Sequence, residues 1–349
     1  MNPNAFLPEV SATTIAELLK CYPLASDYLA NMRLGKIDHD KTLPDALIDV
    51  DEDTLEEFGL TRESVVLHFC SFLSAFSKNT EPARDISSIT ILGGRDKSGR
   101  PEQIEITVVP GEIVSIVGPT GSGKSRLLED IECLAQRDTP TGRQILLNGN
   151  APDDERRFAT GGKLVAQLSQ NMNFVMDLTV REFLEMHAKS RMVQNPSEAA
   201  KRCFACANSL AGEKYTPDTK VTQLSGGQSR ALMIADTALM SASPIILIDE
   251  IENAGIDRKE AIKLLAGHEK IILMSTHDPL LALRADKRIG IKNGGIAKIL
   301  VTTETERQSL TSIEEMDEIL QNLRNHLRAG ETITSEMIPK MEEKHVGTL

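Results

Sequence analysis

The sequence predicts an α/β fold with a mostly parallel sheet covered by helices on both faces, preceded by a small all-α domain. Two observations predict it. From about residue 86 to residue 303, apolar runs typical of strands alternate with stretches typical of helices, and this alternation produces parallel sheets. Residues 1–80 contain helix signals alone, and the polar run 77–85, with Pro82, is typical of a linker.

The composition limits the classes of protein to which the chain can belong. Its 349 residues carry 51 acidic and 39 basic side chains without a long basic block, so we expect no nucleic-acid binding. No apolar run reaches the roughly 20 residues of a membrane helix, and the N-terminus lacks a secretion signal. The five cysteines then predict free thiols. We expect a cytoplasmic protein without direct membrane insertion, which reaches a membrane only through partners.

Capping residues indicate helices in the N-terminal unit. Thr13 or Thr14 precedes an apolar-periodic run that ends at Gly35, which predicts a helix across this stretch. Two further helices are predicted over 52–58 and 61–76.

Apolar runs predict the elements that follow the linker. Strands are predicted over 89–92, 103–109, 113–118, 164–170, 245–250 and 270–276, with a final pair near 289–301. Helices are predicted over 125–135, 229–240, 258–267 and 310–328, and the region 171–223 is rich in helix signals.

A glycine-rich run lies between a predicted strand and a predicted helix. It reads Gly-Pro-Thr-Gly-Ser-Gly-Lys-Ser and fits the phosphate-loop pattern, so a chance glycine turn is disfavoured. Gly121 and Gly123 let backbone amides surround phosphate oxygens, and the helix start adds its positive dipole end. Lys124 would reach the β and γ phosphates of a nucleoside triphosphate, and Ser125 would ligate Mg²⁺. The candidate nucleotide-binding residues here are Gly118, Pro119, Thr120, Gly121, Ser122, Gly123, Lys124, Ser125 and Arg126.

Two carboxylates follow a buried strand. The apolar run 245–248 ends in Asp249 and Glu250, and ligands bind at this end of strands in such sheets. Asp249 would hold Mg²⁺, and Glu250 would act as general base toward the attacking water. An acidic strand end that faces solvent is the alternative, which the phosphate loop disfavours.

The string Leu224-Ser225-Gly226-Gly227-Gln228 follows the phosphate loop and precedes the carboxylates. With these two motifs, it resembles the signature of the ATP-binding cassette (ABC) family over about residues 86–303. The resemblance implies a P-loop NTPase core of RecA-like fold, an antiparallel β subdomain, and an α-helical signature subdomain at about 171–228. Residues 304–349 would form a C-terminal helix and tail.

The resemblance also assigns roles to single residues. Gln170 looks like the glutamine that touches Mg²⁺ and the attacking water in relatives, with Gln167 as the competing candidate. His277 looks like the switch histidine that contacts the γ-phosphate, and together with Glu250 and Gln170 it completes the candidate catalytic set. Asp257 looks like the D-loop aspartate, a candidate nucleotide contact.

The signature implies a pair of cassettes. A Ser225-Gly226-Gly227 turn at a helix N-terminus is an anion site, and in the family this turn, with Gln228, faces the phosphate loop of the other protomer. ATP and Mg²⁺ would therefore lie between two chains. Since one chain carries one set of motifs, we expect a homodimer.

Some residues depart from the family's pattern. No aromatic residue lies between 81 and 117, where relatives carry one that stacks on adenine, so base contact would be weaker or come from an aliphatic side chain or Arg95. Arg126 stands where Thr is commoner, and Asp236 stands where the signature helix often has Arg. These departures suggest a divergent branch of the family.

The run 14–35 resembles a small helical domain that begins with a T-I-x-E-L-L-x-x-Y-P pattern and is often found in anaerobes near redox proteins. That domain often carries a cysteine pair, which is absent here, where only Cys21 and Cys70 occur. We therefore expect a docking role rather than a redox role.

Cys203 and Cys206 form a C-x-x-C pair in a predicted helix. A metal or thiol site is one interpretation. With no second ligand pair nearby, we prefer two buried small side chains.

The nucleotide chemistry leaves the partner open. The divergent motifs and the N-terminal domain favour an ATPase that remodels a protein client, as in cofactor insertion or enzyme reactivation. A helical subdomain of ordinary size could instead dock membrane subunits, so the ATP-binding subunit of a transporter is the alternative. A nucleotide-gated module with negligible turnover is a third interpretation, which Glu250 and His277 disfavour.

Overall fold

The structure is a computed structural model that describes residues 6–338 apart from 23–24, 81–85, 159–162, 170–173, 192, 194, 251–255, 268 and 335–336. In the N-terminal part it describes the helices α1 (Leu7–Ala12), α2 (Ile15–Cys21), α3 (Ala25–Asn31), α4 (Leu43–Ile48), α5 (Glu52–Glu56) and α6 (Arg62–Thr80).

The first helical stretch differs from its prediction. Thr14 caps α2 as expected, because its hydroxyl oxygen accepts a hydrogen bond from the Glu17 N–H at 3.3 Å. The helix ends at Cys21, however, and α3 begins at Ala25, so the prediction of a helix running on to Gly35 was wrong. Proline lacks a backbone donor and disfavours the helical conformation of the residue before it, which agrees with a helix that ends before the Tyr-Pro pair of the sequence.

The N-terminal helices enclose a core of their own. Its buried residues run from Phe6 to Leu73, and the ring of Tyr28 lies 5.3 Å from that of Phe69 and 4.7 Å from that of Phe72. The two other hydrophobic clusters contain only residues from Ile86 onward. The all-α unit therefore has a separate core from the remainder of the described chain.

The remaining elements follow the predicted alternation. The strands are β1 (Ile89–Leu92), β2 (Glu105–Val108), β3 (Ile113–Val117), β4 (Gln144–Leu147), β5 (Val165–Leu168), β6 (Ile245–Asp249), β7 (Ile271–Ser275), β8 (Lys287–Lys292) and β9 (Gly295–Val301). The helices are α7 (Lys124–Glu132), α8 (Asp154–Phe158), α9 (Val180–Ser190), α10 (Pro196–Leu210), α11 (Gly226–Met240), α12 (Arg258–Ala266), α13 (Pro279–Arg284) and α14 (Glu304–Arg328).

The strands form two sheets. The six-stranded sheet has the order β5-β6-β7-β3-β8-β9, and its pairs are parallel except for the antiparallel β8–β9 pair. The other sheet is antiparallel with the order β2-β1-β4. One hydrophobic cluster joins α7 to both sheets, and the other joins α9, α10, α11 and α12 to the opposite side. This arrangement is the predicted P-loop core with an antiparallel β subdomain and a helical layer.

Within the part of the chain that the structure describes, no helix combines the length and the apolar character needed to cross a bilayer.

Candidate functional site

The glycine-rich loop joins β3 to α7. Gly118, Gly121 and Gly123 have φ angles of +155°, +75° and +109°, which L side chains rarely adopt. A Cβ at Gly118 would also lie 2.5 Å from the Ile291 carbonyl oxygen. Both the backbone turn and the neighbouring strand therefore require glycine in this loop. Pro119 and Thr120 are exposed at its tip, and the Ser122 N–H donates to the Pro119 carbonyl at 3.0 Å.

Lys124 and Ser125 begin α7 at the end of this loop. Lys124 is only 8% exposed, and its Nζ donates to the Gly118 carbonyl at 3.0 Å, so the ammonium lies against the loop. The Ser125 hydroxyl donates to Asp249 Oδ2 at 3.3 Å, which joins the loop to the end of β6. Two oxygen donors this close suit Mg²⁺, which takes few protein ligands and completes its octahedron with water and phosphate oxygens.

The three strands that carry the candidate groups are neighbours in the sheet. Ser275 at the end of β7 lies opposite Ile116 of β3 on one side and Asp249 of β6 on the other. The glycine loop, the carboxylates and His277 therefore follow the carboxyl ends of adjacent parallel strands. This edge is where such sheets bind ligands.

Glu250 and His277 lie just past their strands. The half-buried Glu250 has a φ angle of +49°, which is uncommon for a residue with a side chain. Its N–H donates to the Ser275 carbonyl at 3.1 Å, which fixes the end of β6 against β7. His277 is exposed, and the N–H of Thr276 before it donates to the Ile116 carbonyl at 3.1 Å. Both candidate catalytic residues thus stand at the same sheet edge as the glycine loop.

The signature turn begins α11. Ser225 is the N-cap and forms a capping box with Gln228: the hydroxyl oxygen accepts from the Gln228 N–H at 3.3 Å, and Gln228 Oε1 accepts from the Ser225 N–H at 2.8 Å. Ser225 and Gly226 are exposed and Gly227 is half-buried. The helix therefore opens on a preformed turn at the surface, in which the Gln228 side chain is already engaged.

Two other predicted contacts have local partners. The Asp257 carboxylate caps α12, with Oδ1 accepting from the Glu260 N–H at 3.0 Å. The Arg126 side chain is half-exposed and pairs with Glu129 at 2.8 Å, one turn along α7. In the single chain, each of these side chains thus serves its own helix.

The two glutamine candidates differ. Gln170, the preferred one, lies outside the described residues. Gln167 lies within β5, and with its amide nitrogen turned to α7 it is 3.1 Å from Glu132 Oε1. Glu132 ends α7 and Lys124 begins it, about 12 Å apart at 1.5 Å per residue. The side chain of Gln167 is therefore engaged away from the glycine loop.

Two residues at the site were assigned no role from the sequence. The Ser275 hydroxyl donates to Asp249 Oδ1 at 2.5 Å, so the aspartate is held from β7 as well as from α7. Lys97, in the connection between β1 and β2, donates from Nζ to the Gly121 carbonyl at 2.9 Å. Ser275 precedes the Thr-His pair and could have been suggested by it, whereas Lys97 gives no signal in the sequence. Arg95 is exposed, and its N–H donates to the Thr141 carbonyl at 2.7 Å.

The unusual Asp236 of the signature helix is a buried ion-pair partner. Its side chain is fully buried, and Oδ1 lies 2.8 Å from Arg191 Nη1 and 3.2 Å from His187 Nδ1. Arg191 follows α9, so the pair ties α11 to the end of α9. The negative charge of Asp236 is therefore paired with the positive charge of Arg191.

The cysteine pair of α10 has the properties of packed side chains. Cys203 is buried, Cys206 is half-buried, and both are free thiols. Burial raises the pKa of each thiol above its ordinary value, which disfavours the reactive thiolate. This agrees with the interpretation of two small buried residues.

A mostly parallel sheet with a glycine loop at its carboxyl edge, together with a capped Ser-Gly-Gly turn at the exposed start of a helix, defines the class of ATP-binding cassettes, which are ATP hydrolases. The sequence model of the family described as "ABC transporter" matches residues 101–253. An uncharacterized ABC transporter ATP-binding protein of Methanocaldococcus jannaschii, MJ0121, is 54% identical over 258 residues, which cover 74% of this chain and 98% of that protein. The chain belongs to the ABC transporter family of ATP-binding proteins.

Other relatives carry more specific names. The macrolide export ATP-binding/permease protein MacB of Marinobacter nauticus is 33% identical over 264 residues, 72% of this chain and 38% of that protein. The lipoprotein-releasing system ATP-binding protein LolD of Psychrobacter arcticus is 30% identical over 200 residues, 55% of this chain and 86% of that protein. Among solved structures, a dimeric post-hydrolysis state of the cassette MJ0796 with ADP and Pi is similar, with a TM-score of 0.48, 25% identity, and coverage of 62% of this chain and 99% of that one.

Proposed function

We propose that this chain binds ATP with Mg²⁺ at the carboxyl edge of its sheet and hydrolyses it between two copies of the cassette. One observation carries the proposal: the Ser125 hydroxyl lies 3.3 Å from the Asp249 carboxylate, beside the buried ammonium of Lys124. A cation for the β and γ phosphates and two oxygen ligands for Mg²⁺ are thereby brought together. Glu250 stands next to them as the general base.

The remaining roles rest on the same site. Glu250 would polarise the attacking water, and His277 would contact the γ-phosphate from the end of the neighbouring strand. Bound Mg²⁺ would neutralise charge on the phosphate oxygens. Gln170 would reach the same metal and water, as the family resemblance implies.

The two-copy arrangement is supported by the signature turn. The N-terminus of the 15-residue helix α11 is exposed, and a Cβ added at Gly226 would meet no atom within 4 Å. Exposed N–H groups at a helix start attract anions. We propose that this turn receives the γ-phosphate of a nucleotide held by the glycine loop of a second, identical chain.

The partner driven by this cycle is proposed to be another protein. The names of MacB and LolD refer to an ATP-binding/permease protein and to the ATP-binding protein of a lipoprotein-releasing system, and they support a membrane-bound partner. The preference for a non-transport client, such as an enzyme in reactivation or cofactor insertion, finds no support in these names. Affinity capture of the chain from detergent-solubilised membranes and from the soluble fraction separates the two: a multi-span protein in the first supports transport, and a stoichiometric soluble client supports remodelling.

The substitution Glu250→Gln tests the reaction. We expect phosphate release from MgATP to fall by roughly 10²-fold or more, because general-base catalysis contributes about that much, while ATP binding is retained. The uncleaved ATP should hold two chains together, which light scattering in saturating MgATP would detect as a dimer.

Lys124→Ala is the matched control, since it should lose nucleotide affinity itself. Equal phosphate release by the wild type and Glu250→Gln would remove Glu250 as the base. A monomer in saturating MgATP would contradict the two-copy site.

A further inference from the structure

Arg258 occupies an unfavourable position for a cation. It is the first residue of α12, directly after the capping Asp257, and the positive end of the helix dipole disfavours cations there. The guanidinium is nonetheless only 20% exposed and pairs with two carboxylates, those of Asp278 and Asp317, the latter at 2.9 Å. These two partners, rather than the helix, account for its placement.

The first partner adjoins the candidate switch histidine. Asp278 follows His277 directly, and its Oδ1 accepts from the Leu280 N–H at 2.8 Å as the cap of α13, while Oδ2 accepts from Arg258. The Asp278 N–H donates to Thr276 Oγ1 at 3.0 Å. The residues on both sides of His277 are therefore fixed by hydrogen bonds, and Arg258 supplies a charged link in that set.

The second partner lies on the C-terminal helix. Asp317 and Glu314 are three residues apart and share a face of α14, and Glu314 pairs with Arg284 at the end of α13. Two links thereby attach α14 to α13. Arg284 forms one at the C-terminal end of α13, and Arg258 with Asp278 forms the other at the N-terminal end of α13.

Charged side chains contribute to this attachment of α14. None of the side chains that the structure describes on α14 is buried. Besides the pairs at Glu314 and Asp317, the pairs Arg288–Glu306 and Arg307–Asp286, the latter at 3.1 Å, join it to β8 and to the residue before β8.

We propose that Arg258 is a positioning residue for His277. Through Asp317 it connects the C-terminal helix to the loop after β7, and it holds that loop in the geometry that hydrolysis needs. The inference rests on the proposed role of His277 at the γ-phosphate. Arginine suits this place because its planar guanidinium can bond two carboxylates with separate nitrogens, here Nη1 with Asp278 and Nη2 with Asp317.

Two substitutions test the bridge. Arg258→Met removes both ion pairs and keeps an unbranched apolar stem, and Asp317→Asn removes only the charge on α14. We expect kcat for ATP hydrolysis to fall roughly ten- to a hundredfold in Arg258→Met, since misplaced catalytic groups cost about that much, and by a smaller factor in Asp317→Asn. The KM for ATP and the affinity for nucleotide should stay within about twofold, because neither residue contacts the glycine loop.

Arg307→Gln is the matched control on the same helix. It removes the ion pair between Arg307 and Asp286, whose side chains are 45% and 40% exposed. We expect kcat to stay unchanged in this variant. If kcat of Asp317→Asn and of Arg258→Met equals that of Arg307→Gln while the wild type hydrolyses ATP, the bridge is refuted and the proposed function stands. A wild type without hydrolysis would instead refute the proposed function.

A double-mutant cycle distinguishes positioning from general stability. If Arg258 acts through His277, Arg258→Met should cause little further loss in a His277→Ala chain, measured by single-turnover phosphate release. If the two losses multiply, Arg258 does not act through the histidine and the proposal is overturned. Should Arg258→Met fail to fold, the same cycle with Asp317→Asn gives the answer.

Discussion

At the scale of single residues, burial decides what a charged side chain does. Lys270 precedes β7, is 7% exposed, and donates from Nζ to the carbonyls of Thr237 at 3.2 Å and Ser241 at 2.8 Å. These carbonyls end α11, where the helix dipole favours a cation. Burial, with the nearby charge of Arg191, nonetheless lowers the pKa of Lys270 to about 8. The cost of removing this ammonium from water therefore exceeds the gain from its hydrogen bonds.

The depressed pKa of Lys270 predicts how stability depends on pH. Between about pH 8 and the ordinary pKa of 10.5, the folded chain binds fewer protons than the unfolded chain, so its free energy of unfolding should rise with pH in that window. Below about pH 8, Lys270 is charged in the folded chain, and the full cost of burying its ammonium lowers the free energy of unfolding. Lys270→Met should flatten the rise, as measured by urea unfolding at several pH values. Lys263→Met, at a side chain 76% exposed, is the control, and equal slopes in both variants would contradict the assignment.

At the scale of elements, a buried arginine joins the two sheets to the glycine loop. Arg143, next to β4, is fully buried between Glu102 at 2.7 Å and Asp130 of α7 at 2.9 Å. It also donates to the Gly294 carbonyl at 2.8 Å, and the Gly294 N–H donates to the Ser122 carbonyl at 2.7 Å. The antiparallel sheet, α7, the β8–β9 turn and the glycine loop are therefore connected through one guanidinium. Hydrogen bonds from this arginine and from backbone N–H groups lower the pKa of Glu102 despite its burial.

Loss of this guanidinium should destabilise the fold strongly. Arg143→Met leaves two buried carboxylates without their cation, and breaking a buried pair in this way typically costs about 3–5 kcal/mol. Urea unfolding measures the loss, and nucleotide affinity should fall with it because Gly294 contacts the loop. Arg137→Met, at an exposed arginine beside the same strand, should cost less than about 1 kcal/mol. Similar losses for the two variants would show that the network is not an essential link.

At the scale of the whole molecule, the described residues include a hydrophobic core that lies apart from the proposed nucleotide site. The cluster from Phe6 to Leu73 is built from the N-terminal helices alone, while the site lies on the two clusters that begin at Ile86. An independent core can fold and unfold by itself. The division into residues 1–80, 86–303 and 304–349 remains a proposal.

The separate cores predict independent unfolding. A chain that begins at residue 86 should retain at least about half of the ATP hydrolysis rate of the full chain, since it keeps every proposed catalytic group. Calorimetry of the full chain should resolve two transitions, of which the shortened chain lacks one. Loss of hydrolysis together with a single transition in the full chain would contradict a separate unit.

Local signals predicted much of the core. The strand at 89–92 was predicted with its observed bounds, and the end of β6 was placed within one residue, because continuous apolar runs of this length have few alternatives. The approach of Ser125 to Asp249 could be expected from two motifs with known chemistry. These successes share a cause: each depends on residues near in sequence or on a recurrent phosphate site.

Long-range contacts account for most of what the sequence did not reveal. The strand β4 has four residues and is defined by pairing with β1, some 55 residues earlier in the chain. The first turns of α14 are polar, so the prediction began that helix at residue 310, whereas a Thr303–Glu306 capping box starts it at 304. Lys97 and Arg258 gave no signal because their partners lie on other elements.

The left-handed backbone at Glu250 has a consequence for any attempt to make this protein more robust to heat. A non-glycine residue in that conformation costs on the order of 1 kcal/mol, which Gly would avoid and Asn would reduce. A screen for thermostability alone would therefore favour replacing this glutamate, and the stabilised protein would lack the proposed general base. Thermal stability and ATP hydrolysis therefore place opposite demands on this position.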